Sequence, residues 1–125
     1  IHSRILMQLK FMKKFYKIIS LVFAVVAYVE IYTLSTCKYC NDAKKFLKAN
    51  NIDYVECELS RKECTQSLLK KAKVMGIGEI NTVPQIFIGN TYIGGYDTMI
   101  YLYKTDQLQK ILDYESESER IDVGV

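Results

Sequence analysis

The alternation of hydrophobic and polar positions predicts a β-strand that begins at Val29. β-forming side chains alternate over residues 29–34 and again over residues 53–59, with the period of two that is typical of strands. Two shorter apolar runs, 84–88 and 91–93, are separated by Gly89-Asn90, which favours a two-residue hairpin turn. We therefore predict four strands, of which the last two form a hairpin.

Hydrophobic positions with helical spacing predict helices over residues 37–49 and 60–75. Their apolar positions are Cys40, Ala43 and Leu47 in the first and Cys64, Leu68, Leu69, Ala72 and Met75 in the second. Ser60 and Glu63 have the spacing of a capping box, which marks the start of the second helix. Gly76 and Gly78 are expected to end it.

Two further helices complete the order of elements. One should be capped by Asp97 or Thr98, and the other should run from Thr105 or Asp106 to about residue 114. A strand–helix–strand unit places two strands parallel, whereas a hairpin places two strands antiparallel. We therefore predict an α/β fold in which a mixed four-stranded sheet has helices on both faces.

The 125 residues suit one compact domain with two distinct ends. Residues 1–17 contain five Lys or Arg and no acid, and residues 18–29 carry no charge. This layout is typical of a secretory signal or of a hydrophobic extension before the first strand. Glu and Ser alternate over 115–119, as in a solvated tail. The predicted division is an extension or targeting segment at 1–28, the main domain at 29–114 and an acidic flexible tail at 115–125.

Composition narrows the range of partners. The net charge is only +3, and the chain beyond residue 17 has a slight excess of acid, so we predict no nucleic-acid partner. Membrane contact is expected only if the apolar N-terminal segment is retained. The location would be secretory or organellar if residues 12–27 act as a targeting signal.

Four cysteines are too few for a disulfide scaffold in this chain, but two of them form a Cys-x-x-Cys pair. Cys37 should open the first helix, where unpaired backbone N–H groups and the adjacent Lys38 favour its thiolate. Cys40 lies one turn further on the apolar side, so Cys37 is predicted to attack and Cys40 to resolve. Half of a zinc site has the same spacing, but no second close pair of Cys or His follows. Cys57 and Cys64 are predicted to pack in the core as free thiols.

Three sequence blocks resemble the glutaredoxin family. Cys37-Lys38-Tyr39-Cys40 is similar to its active site, commonly Cys-Pro-Tyr-Cys. Residues 82–88 resemble its Thr-Val-Pro strand, and residues 94–97 resemble its Gly-Gly-x-Asp turn. The blocks follow the family's order and spacing over about residues 29–112. The resemblance implies a thioredoxin fold, a cis peptide bond before Pro84, a cytoplasmic location and glutathione as the reductant.

The resemblance also implies the site residues. Cys37 and Cys40 would be catalytic, and glutathione would be bound by Lys38, Tyr39, Thr82, Val83, Pro84, Gly95, Tyr96 and Asp97. In the family, the backbone of the residue matching Val83 pairs with the peptide backbone of glutathione, and the turn matching 95–97 holds its γ-glutamyl end. The implied activity is reduction of glutathione mixed disulfides and protein disulfides. The partners would be glutathionylated or disulfide-containing proteins, and we expect a monomer.

Four positions depart from the family pattern. Leu34 stands where many members carry Lys, Lys38 replaces the usual Pro, Asn81 replaces a frequent basic residue, and Thr98 replaces a frequent second Asp. Some glutaredoxins that lack this Pro hold a 2Fe–2S cluster between two subunits, through the first Cys and glutathione. A glutathione-ligated 2Fe–2S cluster is therefore the alternative function. A thioredoxin-like protein that is reduced by a reductase is a third interpretation, against which the Gly-Gly-Tyr-Asp turn argues.

Overall fold

The computed structural model describes residues 28–123, with side chains as far as residue 117. The elements are β1 (Val29–Thr33), α1 (Lys38–Ala49), β2 (Val55–Glu58), α2 (Lys62–Met75), β3 (Gln85–Ile88), β4 (Thr91–Gly94), α3 (Tyr96–Lys104) and α4 (Gln107–Val123). The N-terminal extension or targeting segment that the sequence predicts lies outside the described residues. Within residues 28–123, no helix is long and apolar enough to cross a membrane.

The four strands form one mixed sheet in the order β2-β1-β3-β4. β1 runs parallel to β2 and antiparallel to β3, and β3 pairs antiparallel with β4. The parallel pair requires the crossover helix α1, and the antiparallel pair β3–β4 is closed by the short turn at Gly89 and Asn90. The predicted α/β, thioredoxin-like sheet and its hairpin are confirmed.

Side-chain alternation on the two central strands builds a core on each face of the sheet. One cluster contains Ile31 and Ile86 and packs against residues of α1, α3 and α4. The other contains Tyr32 and Phe87 and packs against Leu68 of α2. Because neighbouring side chains of a strand point to opposite faces, helices cover both sides of the sheet, as predicted.

A polar network fixes α2 to its face of the sheet. The Tyr32 hydroxyl donates to Glu30 Oε2 at 2.8 Å and lies 2.9 Å from Ser67 Oγ on α2. Lys71 of α2 lies 3.1 Å from Glu30 Oε1 and 5.3 Å from the centre of the Phe87 ring. Burial, with the neighbouring Glu30, raises the pKa of Tyr32 to about 12. The tyrosine therefore stays neutral and remains a hydrogen-bond donor across the physiological range.

The capping-box prediction at the start of α2 is wrong. The helix begins at Lys62 after Arg61, and no side chain caps it. The Glu63 carboxylate binds the Arg61 guanidinium at 2.7 Å instead of reaching back to Ser60. Hydrogen bonding to its own backbone N–H and to Arg61 lowers the pKa of Glu63. The exposed ion pair thus replaces the reciprocal cap at this helix start.

One predicted apolar position and one predicted cap also differ. Leu69 of α2 is exposed because its side chain points away from the sheet, and Val55 is exposed on the edge strand β2. The third helix begins at Tyr96, with Gly95 as its N-cap, and neither Asp97 nor Thr98 caps it. Gly76 closes α2 in the left-handed conformation, with φ of 67°, as predicted.

The acidic tail prediction is wrong for the described part of residues 115–125. Helix α4 continues to Val123, and the Glu115 side chain is 4% exposed. Its carboxylate accepts hydrogen bonds from the Thr91 hydroxyl at 2.6 Å and from the Asn90 backbone N–H at 3.2 Å. A carboxylate is tolerated in such a place when donors satisfy it. The fold therefore extends beyond the predicted boundary at residue 114.

Candidate active site

Cys37 lies at the start of α1, immediately after the turn that follows β1. Its backbone N–H donates to the Leu34 carbonyl at 3.2 Å, which closes the turn. Its backbone is extended, with φ of −91° and ψ of 113°, and its Sγ accepts a hydrogen bond from the Cys40 backbone N–H at 3.1 Å. A sulfur in the N-cap position satisfies one of the unpaired donors of the helix. The same donor favours a thiolate there.

The two cysteines of the motif form a disulfide but differ in access. Their Cα atoms are 5.2 Å apart, within the range that a disulfide spans. Cys37 is half-buried, whereas Cys40 is completely buried. An incoming thiol or disulfide therefore reaches Cys37 before Cys40.

The loop before β3 brings a backbone acceptor to the reactive sulfur. The Val83–Pro84 peptide bond is cis, as the family resemblance implied. The Val83 carbonyl oxygen lies 3.6 Å from Cys37 Sγ, and Pro84 is buried against the start of β3. This arrangement places the backbone of Val83 beside the Cys37 sulfur.

Gln85 supports that loop through hydrogen bonds to Thr82, and the sequence analysis missed this residue. Its side chain is buried and donates from Nε2 to the Thr82 carbonyl at 2.9 Å and to Thr82 Oγ1 at 3.2 Å. Its Oε1 accepts a hydrogen bond from the Tyr92 hydroxyl at 2.6 Å. The sequence signal that could have identified Gln85 is its position, a polar residue directly after Pro84 in an otherwise apolar strand. Gln85 thereby links β4 to the loop beside Cys37.

A cleft of about 380 Å³ lies against the loop and the start of α3. Its lining residues are Tyr39, Thr82, Val83, Pro84, Gly95, Tyr96, Asp97 and Thr98. Seven of the eight residues predicted to bind glutathione thus lie together, and the exception is the exposed Lys38. Thr98, which was not predicted to bind glutathione, is the additional lining residue.

The start of α3 gives this cleft an anion-binding character. The first backbone N–H groups of the helix, those of Tyr96, Asp97 and Thr98, have no partner one turn earlier in the helix. A Cβ atom on Gly95 would lie 3.8 Å from the Pro84 carbonyl oxygen, so the two loops approach closely. The rings of Tyr39 and Tyr96 lie 6.0 Å apart between their centres. The cleft therefore has aromatic walls and a helix N-terminus.

The charges around Cys37 also favour a thiolate. Lys38 is exposed in the first turn of α1, and this turn carries no acidic residue. A cation near a sulfur at a helix N-terminus stabilises its charged form.

The prediction that Cys57 and Cys64 are free thiols is wrong. They form a disulfide, with Cα atoms 5.4 Å apart. Cys64 is completely buried, as predicted, and Cys57 is half-buried. The end of β2 turns directly into α2, and this turn brings the two side chains together. The only sequence signal for the pair is that both lie on the inward face of neighbouring elements.

Comparison with known proteins places the chain in a family. The glutaredoxin family model matches residues 29–93. "Glutaredoxin 1" of Rickettsia prowazekii (strain Madrid E) is 39% identical over 90 residues, which cover 70% of this chain and 90% of that protein. The holo form of glutaredoxin C1 from Populus tremula x tremuloides is 30% identical with a TM-score of 0.58, over 74% of this chain and 82% of that one. The buckwheat glutaredoxin–glutathione complex has a TM-score of 0.58 at 22% identity, over 78% and 90% of the two chains, and so shows the fold alone.

Fold and site together define a thioredoxin-fold protein with a Cys-x-x-Cys pair at the start of a helix. Proteins of this class exchange thiols and disulfides at the first cysteine. The chain belongs to the glutaredoxin family, and it is a thiol–disulfide oxidoreductase.

Proposed function

We propose that this protein uses glutathione to reduce glutathione mixed disulfides and protein disulfides, with Cys37 as the nucleophile and Cys40 as the resolving thiol. One observation supports this most strongly. The half-buried Cys37 lies beside the Val83 carbonyl, and the loop that carries Val83 lines the cleft at the start of α3. A thiol-containing peptide in this cleft would present its sulfur to Cys37.

Each part of glutathione has a matching group in the cleft. The backbone of Val83 would pair with its central peptide unit, in the manner of a short added strand. The N–H groups at the start of α3 would bind the carboxylate of its γ-glutamyl end, and the Asp97 carboxylate would bind the α-amino group. Thr82 and Tyr39 would contact the remaining atoms of glutathione. Lys38 would attract the anionic tripeptide from outside the cleft, since it does not line it.

The reaction with a glutathionylated protein would take place at Cys37. Its thiolate attacks the glutathione sulfur, the protein thiol leaves, and a Cys37–glutathione disulfide forms. A second glutathione thiolate attacks the glutathione sulfur of this intermediate. Glutathione disulfide leaves, and the Cys37 thiolate is restored. With a protein disulfide, Cys37 is joined to the substrate, and Cys40 releases it by attacking Cys37. Glutathione then reduces the Cys37–Cys40 disulfide.

The 2Fe–2S alternative is favoured by one sequence feature, Lys38 in place of the usual Pro of the active-site motif. No group of three or more His, Cys, Asp or Glu within residues 28–123 could hold a metal ion. Such a cluster would need ligands from glutathione and a second subunit, besides Cys37. Visible absorbance after anaerobic purification is the direct test of that alternative.

The proposal is tested by comparing two substrates that differ only at the γ-glutamyl group. The same peptide is prepared as a mixed disulfide with glutathione and as a mixed disulfide with cysteinylglycine, and its reduction by glutathione is measured. A lower KM and faster turnover are expected for the glutathione mixed disulfide, because only its γ-glutamyl end can contact the start of α3. The variant Asp97→Asn should narrow this difference by raising KM for the glutathione mixed disulfide. Equal KM values and rates for the two substrates would contradict glutathione recognition while leaving Cys37 chemistry intact.

A further inference from the structure

The disulfide between Cys57 and Cys64 lies outside the cleft and takes no part in the glutathione chemistry proposed above. Cys57 belongs to the edge strand β2, and Cys64 lies in the first turn of α2. Neither residue lines the cleft beside Cys37. The chain therefore has two disulfide-forming pairs, one at the start of α1 and one at the start of α2.

Backbone hydrogen bonds hold Cys57 and Cys64 together independently of their covalent bond. The Arg61 N–H donates to the Glu58 carbonyl at 3.0 Å, and the Cys64 N–H donates to the Arg61 carbonyl at 3.1 Å. The Thr65 hydroxyl donates to the Leu59 carbonyl at 2.8 Å. Because none of these hydrogen bonds involves a cysteine sulfur, we expect the two thiols to remain neighbours after reduction. Their effective concentration toward each other is therefore high.

Access to the two sulfurs is unequal. Cys57 is half-buried and Cys64 is completely buried, so a small external reagent can reach only Cys57. Cys64 lies at the N-terminal end of α2, where the helix dipole favours its thiolate. The outer residue can thus react first, and the buried residue can resolve.

We propose that Cys57 and Cys64 form a second thiol–disulfide couple, a redox-modification site that reacts with low-molecular-weight disulfides such as glutathione disulfide. In its oxidised form the couple fastens the start of α2 to the edge strand β2. β2 hydrogen-bonds only to β1 within the sheet, so this covalent link secures the least supported strand on the α2 side.

The oxidation is balanced by the reduction of the small disulfide RSSR. The Cys57 thiolate attacks one sulfur of RSSR, the S–S bond of RSSR breaks, and RS⁻ leaves as a mixed disulfide forms at Cys57. The Cys64 thiolate then attacks the Cys57 sulfur and expels the second RS⁻. The two RS⁻ ions take up the two protons that the protein thiols lost. The protein gives up two electrons, and RSSR becomes two RSH.

Oxidation should stabilise the domain, because a cross-link restricts the unfolded chain. Cys57 and Cys64 are seven positions apart, and a short closed loop still removes unfolded-state entropy. We expect the melting temperature of the oxidised protein to exceed that of the reduced protein by about 5–10 °C.

The test uses the full chain with Cys37→Ser and Cys40→Ser, so that only the second couple reacts. The reduced protein is treated with glutathione disulfide or with buffer, denatured, and labelled with a maleimide for intact-mass measurement. Glutathione disulfide should abolish labelling at both sites, leave no glutathione adduct and raise the melting temperature. With Cys64→Ser added, a stable glutathione adduct should remain on Cys57, and the melting temperature should not rise.

Three results would overturn the proposal. One is full labelling of both thiols after glutathione disulfide treatment, and another is a persistent glutathione adduct when Cys57 and Cys64 are both present. The third is an identical melting temperature for the oxidised and reduced forms. Because the tested variant lacks both Cys37 and Cys40, none of these results bears on the glutathione-dependent activity proposed above.

Discussion

The two cysteine pairs are built from similar parts and are expected to react differently. Each pair has one member at the start of a helix, and their Cα separations are 5.2 Å and 5.4 Å. In the active-site pair the helix-start residue, Cys37, is the accessible one, and its sulfur lies beside Val83, which lines a cleft. In the second pair the helix-start residue, Cys64, is buried, and the accessible Cys57 lies on an edge strand.

Charge increases the difference between the pairs. Cys37 precedes Lys38, and the first turn of its helix has no acid. Cys57 is flanked in sequence by Glu56 and Glu58, so its neighbours are acidic and do not favour an anionic thiolate as Lys38 does. The fold therefore decides which cysteines can pair. Access, neighbouring charge and an adjacent binding cleft decide which pair exchanges rapidly.

The largest expected effect comes from removing one outer cysteine at a time. Cys37→Ser should lower glutathione-coupled reduction of a mixed disulfide by a factor on the order of 10³ or more, since the nucleophile is lost. Cys57→Ser is the matched control and should retain the activity, because it leaves the cleft and Cys37 unchanged. An active Cys37→Ser protein would remove the distinction between the pairs.

Replacing the resolving cysteine should separate two activities. Cys40→Ser should still reduce a glutathionylated peptide, because a second glutathione can release Cys37. Its reduction of a protein disulfide should fall by at least about tenfold, since the neighbouring thiol with high effective concentration is gone. Both activities are measured with the same enzyme preparation. Equal losses in the two assays would show that Cys40 has another role.

Gln85 tests whether the active-site pair depends on its supporting loop. Gln85→Leu removes the donor to Thr82 and the acceptor for Tyr92, at a cost of about 1 kcal/mol. This cost corresponds to roughly a fivefold rise in KM for a glutathionylated peptide, with Cys37 alkylation unchanged. Tyr92→Phe, which removes one of these bonds, should have a smaller effect. An unchanged KM in both variants would show that Gln85 serves stability alone.

Lys38 provides a smaller test of the charge difference. Because its side chain is exposed, the cation should stabilise the Cys37 thiolate by roughly 0.2–1 kcal/mol. Lys38→Glu should therefore slow alkylation of Cys37 near neutral pH. Lys38→Met, which removes the positive charge without adding a negative one, should reduce the alkylation rate about half as much. Identical pH profiles of alkylation in the wild type and Lys38→Glu would show that this charge does not reach the sulfur.

The smallest expected effect concerns the edge strand that carries Cys57. Glu56 is bound by Lys44 at 2.8 Å and by the Thr33 hydroxyl at 2.8 Å. Partial burial works to raise the pKa of Glu56, but these two hydrogen bonds outweigh it and lower the pKa. Glu56 therefore adds stability above its ordinary pKa of 4.5, and this contribution is lost as the pH falls through the lowered value. The free energy of unfolding, measured with urea between pH 3 and 7, should depend less on pH in Glu56→Gln than in the wild type. An unchanged pH dependence would contradict this role of Glu56 in stability.

Local motifs made the active-site pair predictable. Cys37 and Cys40 could be identified from spacing within one helix, and the cleft around Val83 and Gly95 could be identified from short blocks that resemble a family. The sheet followed from hydrophobic alternation and from the hairpin turn. In each case the determining residues are close together in the sequence or belong to a recognisable motif.

The second pair and the continuation of the last helix beyond residue 114 could not be predicted in this way. Hydrophobic patterning placed Cys57 and Cys64 on inward faces, but it cannot distinguish two packed thiols from a bonded pair. Alternating Glu and Ser suggested a solvated tail, yet Glu115 is buried because the distant hairpin supplies donors at Asn90 and Thr91. Both features depend on where separate elements meet in three dimensions.

The difference between the two pairs can be measured in one time course on the wild-type protein. The fully reduced chain is mixed with glutathione disulfide, quenched with acid at increasing times, and mapped by peptide mass spectrometry. Glutathione should appear first on Cys37, and the Cys37–Cys40 disulfide should form before the Cys57–Cys64 disulfide. Early glutathione on Cys57, or earlier closure of the Cys57–Cys64 disulfide, would contradict the assignment of Cys37 as the fast-exchanging thiol.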